Sequence, residues 1–321
     1  MSKMLHNIDL KALATCFPDT ADCISIPEQT ASDLAFVAAT SILKNEKIDV
    51  DKIGGVVFLS STPDYRSPAT AMVLQSRLKL STDLIAFDVN VSGNAFNTGI
   101  QLASSILNSS NTEYVLVLYG ETKSKQVVST QIKLNEADYG SAVLVGKSDK
   151  DSMHFFNYTA SDKKDAILVK EGGYKDARPQ GANMPYSGLN HMGTLKINLD
   201  DVLGFQHEVA KSSVCKEFID KEAAYIISNF DLEVLNQINS ENKSLKISDV
   251  NTHKNKWGIA PQLQLQKILV NQENESIPIL SLTYGEGLSS TGLYFNVVNS
   301  IFSSTLKSNI VFEDADVSHE I

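Results

Sequence analysis

Apolar runs of strand length alternate along the chain with amphipathic stretches of helical length. The stretch AFNTGIQLASSILNSS, at 95–110, places Phe96, Ile100 and Leu107 at helical spacing, which predicts a helix that faces a core. Residues 84–90, LIAFDVN, are almost continuously apolar and predict a strand that is buried on both faces. Further strands are predicted at 54–63, 113–122, 140–148, 223–231, 247–251, 277–287 and 291–300, and a second helix is predicted from Leu232. This alternation indicates an α/β protein.

The order of elements repeats weakly between the two halves of the chain. Each half has a strand, a helix, a further strand and a closing pair of strands, at a separation much longer than the period of solenoid repeats. We therefore predict two duplicated α/β halves at 1–156 and 202–300. The segment at 157–201 is rich in Gly, Pro, Asn and Ser and predicts an irregular connection or cap, and 301–321 predicts a C-terminal extension with a frayed acidic end.

Charge and cysteine content exclude several classes of protein. The chain has 28 basic and 38 acidic residues, a net charge of -10, which argues against binding to nucleic acid or to anionic membranes. No apolar run approaches the ~18 residues of a membrane span, and the start lacks the pattern of a signal peptide, so a cytoplasmic protein is expected. Cys16, Cys23 and Cys215 have no metal-binding spacing, and we predict neither a metal nor a cofactor.

The stretch AFDVNVSGNAFNTG, at 86–99, runs from a strand through a Ser-Gly-Asn turn into a helix. It resembles the A-F-D-x-x-x-A-C-x-G-F nucleophile turn of the β-ketoacyl-acyl-carrier-protein synthase III family of condensing enzymes. In the same order, 31–80, 138–145, 225–238 and 280–295 resemble other segments of that family, the last two its W-x-x-P-H-Q-A-N segment and closing G-G-G loop. The resemblance implies a thiolase-like fold, with two pseudo-duplicated α/β halves in a layered α-β-α-β-α arrangement.

The resemblance also shows that the catalytic residues of the family are replaced. Gly93 takes the place of the cysteine that accepts the acyl group, Asn229 that of the histidine, and Ile259 of KWGIAP that of the asparagine. Gly93 has no side chain to acylate, and Ile259 cannot donate a hydrogen bond to an enolate oxygen. Asn229 can still donate one, but one neutral donor does not replace the covalent step. Condensation by this chain alone is therefore not expected.

The interval that binds coenzyme A in the family is also different. Only about a dozen residues, from Asp19 to Thr30, separate the first strand from the first long helix, and the single tryptophan is Trp257, far along the chain. Ordinary docking of coenzyme A is therefore not expected.

These replacements within a preserved pattern favour a non-catalytic subunit. The family implies an active ketosynthase paralogue with Cys, His and Asn as the partner in a heterodimer, with acyl carrier protein as a further candidate partner. The pairing would serve secondary-metabolite or specialised fatty-acyl biosynthesis. The implied contact residues are those of the strand before the turn and of the loop after the preceding strand: Leu84, Ala86, Phe87, Val89, Asn90, Tyr65, Arg66 and Ser67.

Two other functions stay open on the sequence. One is an acyltransferase or hydrolase that uses Ser92 as its nucleophile, although Ser92 is more simply a turn residue that caps the next helix. The other is a homodimeric acyl-binding protein whose emptied site holds a ligand.

Four smaller expectations concern charged residues and histidines. We expect Asp138 to orient a turn, Glu286 to be either exposed or paired with a partner chain, and KSDKDS at 147–152 to form a solvated turn. The histidines His191, His207 and His253 are expected to be solvated.

Overall fold

A computed structural model describes residues 2–128, 137–160, 162–169, 194–241, 245–248, 258–270, 276–298 and 301–313. The α-helices in these ranges are α1 (Ala31–Asn45), α2 (Thr70–Arg77), α3 (Ala95–Ser109), α4 (Leu199–Lys211), α5 (Ser213–Ile219), α6 (Leu232–Glu241) and α7 (Ala260–Val270). The strands are β1 (Ser2–Pro18), β2 (Ile53–Leu59), β3 (Ile85–Val89), β4 (Tyr114–Glu121), β5 (Val127–Val128), β6 (Tyr139–Thr159), β7 (Ile167–Val169), β8 (Thr194–Ile197), β9 (Tyr225–Ser228), β10 (Lys246–Ile247), β11 (Ser276–Gly285), β12 (Ser289–Val298) and β13 (Phe302–Ser308).

The main sheet contains the predicted duplication. Its strands run in the order β10-β9-β11-β12-β6-β4-β2-β3, and β1 adds β13 beside β6. The order β3-β2-β4-β6 in one half corresponds to β10-β9-β11-β12 in the other, each with two parallel pairs followed by one antiparallel pair. The long strands β1 and β6 pass through both halves and join them. The mixed α/β fold class is therefore confirmed.

The helices form three layers, one in the centre of the molecule and one on each outer side of the strands. The outer helices α1 and α2 pack on one side, α4, α5 and α6 pack on the other, and α3 and α7 fill the centre. Successive side chains of a strand point to opposite faces, so both faces can be covered. In β2, Val57 faces the central layer while Val56 and Phe58 face the outer helices. The predicted stripe of α3 is confirmed, because Phe96 and Ile100 are buried in the central layer.

Two predictions about strands are wrong. β3 is not buried on both faces, because it is the edge strand with β2 as its neighbour, and its side chains are half-buried, with Ile85 48% exposed. The polar stretch 147–152 is not a turn but lies within β6, where Lys147 pairs with Ile8 and Ser152 with His6 of β1, and the register shifts between these two pairs. Strand pairing uses the backbone, so polar side chains do not prevent it.

Several expectations fall partly or wholly outside the described residues. His191, His253, Trp257 and the acidic end at 314–321 lie outside them, as does most of the connecting segment, at 161 and 170–193. The described parts of that segment include β7 and β8, which form a small sheet with β5, and the C-terminal extension begins as β13, parallel to β1.

Within the described ranges, no helix is long and apolar enough to cross a membrane, and no cluster of three metal-ligating side chains occurs. The three cysteines are free thiols, with Cys16 and Cys215 buried. Burial raises the pKa of the Cys16 thiol to about 12, which keeps that thiol protonated and unreactive.

Candidate functional site

The site lies where β2, β4, β9 and β11 end, beside the N-terminus of α3. The turn after β3 brings Gly93 to this point, and the residue is buried. A Cβ atom built on Gly93 would overlap the carbonyl oxygen of Tyr284 and lie 2.7 Å from the Cα of Gly285. The end of β11 therefore packs directly on the backbone of the turn. Gly93 is therefore more than the predicted replacement of a cysteine, because no side chain fits at this position.

Asn229, which follows β9, holds this contact in place. Its Nδ2 donates to the carbonyl oxygens of Gly93 at 3.1 Å and Tyr284 at 2.9 Å, and its Oδ1 accepts from the backbone N–H of Tyr284 at 3.0 Å. Both amide hydrogens are thus used by the backbone. The side-chain amide of Asn229, which stands at the predicted position of the histidine, therefore fastens the turn to β11.

Glu286 occupies the N-terminus of α3. It is the first residue of the short turn between β11 and β12, and its Oε2 accepts from the backbone N–H of Ser92 at 3.2 Å and of Gly93 at 3.3 Å. Its Oε1 lies 3.6 Å from the Nζ of Lys123. The positive end of the helix dipole favours a carboxylate here. The anion position at the start of this helix is therefore filled by the chain itself.

The expectation for Glu286 was wrong. Its side chain is only 31% exposed, and its partners are amides and a lysine of the same chain. The contacts join residues 194 positions apart, which explains why local sequence context gave no sign of them.

Ser92 is buried, and no described residue contacts its hydroxyl as an activating base. Its Oγ lies 3.5 Å from the hydroxyl of Tyr119, its hydrogen-bond partner among the described residues, and Tyr119 in turn lies 2.5 Å from the hydroxyl of Tyr139. Burial raises the pKa of the Tyr119 phenol well above its usual value, so this phenol stays protonated and does not accept the serine proton.

The predicted capping role of Ser92 is also wrong. The N-cap of α3 is Asn94, and Ser92 contributes only its carbonyl oxygen, which accepts from the N–H of Ala95 at 3.0 Å. Its hydroxyl points instead to Tyr119.

The segment at Ile259, the predicted position of the asparagine, is packed as well. Ile259 is fully buried in the central apolar layer, immediately before α7. The backbone of Gly258 lies against the phenols, where a Cβ atom would overlap the Tyr119 hydroxyl and lie 2.7 Å from that of Tyr139. The two tyrosines thus fill the space in front of this segment.

A buried carboxylate behind the site was missed by the sequence analysis. Glu121, at the end of β4, is fully buried and accepts from the N–H of Ser61 at 2.8 Å, the Oγ of Ser61 at 2.9 Å and the Oγ1 of Thr62 at 2.9 Å. Burial is the main cause that raises the pKa of its carboxyl group, while the nearby Lys123 lowers it. The available signal was a charged residue at the end of an apolar, buried strand.

The predicted roles of two other residues can be compared with their contacts. Asp138 accepts from the backbone N–H of Ser25 at 2.8 Å and of Ser124 at 3.0 Å, so it orients loops as expected. His207 is half-buried on α4 and its Nδ1 lies 3.0 Å from the Oε1 of Gln237, away from the α3 turn.

The predicted contact residues lie along the β3 edge. Leu84 and Ala86 pack toward the outer helices, while Phe87 and Val89 pack toward the central layer, and Asn90 is exposed. The loop residues Tyr65, Arg66 and Ser67 are exposed, and their loop leads into α2, which packs against β3. Asp88 of β3 accepts from the first amides of α2, which fixes that helix to the edge strand.

Comparison with known proteins finds similarity to the family that the sequence resembles. Residues 87–163 match the family model of 3-oxoacyl-[acyl-carrier-protein (ACP)] synthase III. The chain is 36% identical over 159 residues to the β-ketoacyl-[acyl-carrier-protein] synthase III of Wolbachia pipientis wMel, covering 48% of this chain and 49% of that protein. With the synthase of the same name from Acholeplasma laidlawii it is 29% identical over 146 residues, 44% of this chain and 47% of that protein. The matched region spans about half the length of these curated relatives.

The similarity of fold extends over nearly the whole chain. The crystal structure of 3-oxoacyl-(acyl-carrier protein) synthase from Burkholderia xenovorans LB400 superposes with a TM-score of 0.81 at 18% identity, covering 96% of this chain and 99% of that one. The chain therefore has the thiolase-like fold, and its sequence resembles the synthase III family over the matched part.

Proposed function

We propose that this chain is a non-catalytic ketosynthase III-like subunit. It pairs with a catalytically complete ketosynthase of the same fold and shapes or stabilises the acyl-binding site of that partner, in secondary-metabolite or specialised fatty-acyl biosynthesis. One observation carries the proposal: the nucleophile position is closed from within, with Gly93 against Tyr284 and the carboxylate of Glu286 on the amides of the turn.

The closed turn argues against acyl transfer by this chain. Acyl transfer needs a nucleophile and free hydrogen-bond donors for the oxyanion that develops on the substrate. The amides of Ser92 and Gly93 are occupied by Glu286, and a negative carboxylate at that place repels a second anion. The Ser92 hydroxyl has a protonated phenol as its partner rather than a base.

The edge of the sheet supports pairing with another subunit. Among the described strands β3 has β2 as its neighbour, and within that part of the chain the backbone groups on its other side are available to a second strand. Exposed apolar side chains lie on this strand and on the elements next to it: Ile85 is 48% exposed, Met72 of α2 is 50% exposed, and Tyr65 is 36% exposed. An apolar edge of this kind favours a subunit interface over contact with water.

Incubation with acyl donors tests the loss of catalysis. We expect the purified chain to show no mass increase with acetyl- or octanoyl-coenzyme A or with acyl carrier protein loaded with the same groups, and to release no free thiol. Intact-mass spectrometry and a thiol assay provide the measurements, with a catalytically complete ketosynthase III as the positive control. An adduct that maps to Ser92, or sustained thiol release, would show an acyltransferase or hydrolase instead.

Substitution at the edge strand tests the pairing. We expect wild-type chain to co-purify with a catalytically complete ketosynthase III of the same cell, and Ile85→Asp to weaken the complex at least about 100-fold, because an unpaired buried charge costs about 3 kcal/mol or more. Ile85 is exposed in the single chain, so this variant should fold normally. Val270→Asp, at a valine that is 80% exposed on α7, is the matched control.

The same experiment separates the alternatives. Pairing of Ile85→Asp as tight as that of the wild type would show that β3 is not the interface. A stable homodimer that carries an acyl ligand and does not bind a ketosynthase would favour the homodimeric acyl-binding protein.

A further inference from the structure

We propose that Asp64 is a positioning residue, which holds the exposed stretch at 65–68 as a fixed projection beside the β3 edge. Asp88 holds the other end of the same loop. The inference rests on the proposed function, because this loop is expected to reach the acyl-binding site of the partner. A loop that is held at both ends forms a fixed wall of that site and not a mobile lid.

The exposed stretch has little hydrogen bonding of its own. The backbone N–H groups of Tyr65, Ser67 and Ala69 donate no hydrogen bond within the described part of the chain. Pro63 and Pro68 have no N–H group to donate. The position of the loop therefore depends mainly on the contacts at its two ends.

Asp64 fixes the first end of the loop. Its side chain is only 3% exposed and lies 3.9 Å from a guanidinium nitrogen of Arg77, near the end of α2. Its carboxylate also accepts from the Oγ1 of Thr30 at 3.2 Å and from the Oγ of Ser32, at the start of α1. Hydrogen bonds to a carboxylate are stronger than those between neutral groups. The loop is thereby fastened to both outer helices.

Asp88 fixes the second end of the loop. Its carboxylate accepts from the backbone N–H of Thr70 at 2.6 Å and of Ala71 at 2.8 Å, directly after the exposed stretch. Asp88 lies on β3 between Phe87 and Val89, two of the proposed contact residues. The loop and the strand on which the partner is proposed to dock therefore keep one position relative to each other.

Removal of Asp64 leaves the surrounding side chains with partners. Arg77 stays 3.2 Å from the carboxylate of Asp33, and its Nη1 still donates to the Oγ of Ser32 at 2.6 Å. The Oγ1 of Thr30 lies 3.2 Å from the same Oγ. Asp64→Ala should therefore fold, because no buried cation loses its only carboxylate, and the change frees the first part of the loop.

Limited digestion of the full-length chain with trypsin tests the anchor. The bond after Arg66 lies in the exposed stretch, and a loop that is held at both ends adapts poorly to the cleft of a protease. We expect Asp64→Ala to raise the rate of cleavage at this bond about tenfold. Asp64→Asn removes the same charge but keeps an acceptor for Thr30 and Ser32, so it should raise the rate only about threefold. Mass spectrometry of the fragments measures both rates.

Two controls accompany the digestion. Asp83→Ala changes an exposed aspartate between α2 and β3, and it should leave cleavage after Arg66 at the wild-type rate. Cleavage after the exposed Lys79, followed in the same digest, should be equal in all variants. A wild-type rate for Asp64→Ala, equal rates for Asp64→Ala and Asp64→Asn, or a similar rise after Lys79 would overturn the inference.

The acyl preference of the complex is the readout that a merely structural role would not change. In a complex with a catalytically complete ketosynthase III, we expect Asp64→Ala to alter the ratio of kcat/KM for acetyl- and octanoyl-coenzyme A at least about threefold. Asp64→Asn should restore most of the wild-type ratio, and both variants should pair normally because β3 is unchanged. An unaltered ratio in an intact complex would overturn the positioning role.

The two measurements separate this inference from the proposed function. Digestion uses the chain without a partner, so it decides whether Asp64 anchors the loop in either case. Failure of the wild-type chain to pair with a ketosynthase would contradict the proposed function instead.

Discussion

Replacement of Gly93 by cysteine is expected to destabilise the chain and not to create a nucleophile. The new Cβ atom would overlap the carbonyl oxygen of Tyr284 and crowd the Cα of Gly285, and both obstacles are backbone atoms that cannot rotate away. Overpacking of this kind costs about 3 kcal/mol. The change is measurable as a lower free energy of unfolding in urea, with no acyl adduct by intact mass.

The chain offers a matched control for this substitution. Gly93→Ala should lose nearly as much stability as Gly93→Cys, because the clash begins at Cβ. Gly204→Ala, on α4, meets nothing within 4 Å and should gain up to about 1 kcal/mol from its helical position. A Gly93→Cys variant that is as stable as the wild type and becomes acylated would contradict the closed site.

Removal of the Asn229 amide is expected to have a comparable effect. Asn229→Ala leaves the carbonyl oxygens of Gly93 and Tyr284 and the N–H of Tyr284 without their partner in a largely buried place. Each unsatisfied buried group costs about 1–3 kcal/mol, so a total loss of about 3 kcal/mol is expected even if water reaches part of the gap. Urea unfolding measures this loss.

A second asparagine provides the comparison for Asn229. Asn108 also donates to backbone, at 2.9 Å to the carbonyl of Ser104, but it is exposed, so Asn108→Ala should cost about 0.5 kcal/mol or less. Asn229→His, which introduces the family residue, should not recover the stability, because a neutral imidazole has one N–H donor rather than two. Equal losses for Asn108→Ala and Asn229→Ala would refute the fastening role.

The two substitutions act on the same contact. Both Gly93→Ala and Asn229→Ala separate the α3 turn from Tyr284, so the double variant should lose clearly less stability than the sum of the single losses.

Closure of the site is consistent with the proposed loss of condensation chemistry in a ketosynthase-like fold. The family match at 87–163 begins in β3 and includes the turn at which the family has its cysteine. In this chain the same architecture brings together a glycine, a carboxylate and an asparagine amide that pack and bond to one another. Gly93 and Asn229 therefore contribute to the packing of the turn, and β3 lies at the edge of the main sheet formed by the described strands.

Sequence patterns were sufficient to predict the order of the strands and helices and to propose which positions are replaced. The stripe of Phe96, Ile100 and Leu107 and the continuous apolar runs are local signals, because a buried helix or strand repeats its apolar residues within a few positions. The resemblance to the family motifs predicts, without coordinates, that Gly93, Asn229 and Ile259 stand at the positions of the catalytic residues.

Other features depended on contacts between distant parts of the chain. The polar residues at 147–152 are typical of a turn, yet they lie within β6, where Lys147 and Ser152 pair with β1 on the two sides of a register shift. The burial of β3 was overestimated because a run of apolar residues does not say whether a strand is central or at an edge. The buried Glu121 became visible only when its donors, Ser61 and Thr62, were placed beside it.

The sequence by itself determined that this chain has a ketosynthase-like order of strands and helices, and it predicts that the groups for condensation are replaced. Only the tertiary structure decided that this position is closed, because Tyr284, Glu286 and Asn229 contact the turn at Gly93 from positions more than 130 residues away in the sequence. A missing side chain can be read from one position of a sequence. Whether the space beside it is open depends on the packing of backbone and charges from both halves of the fold.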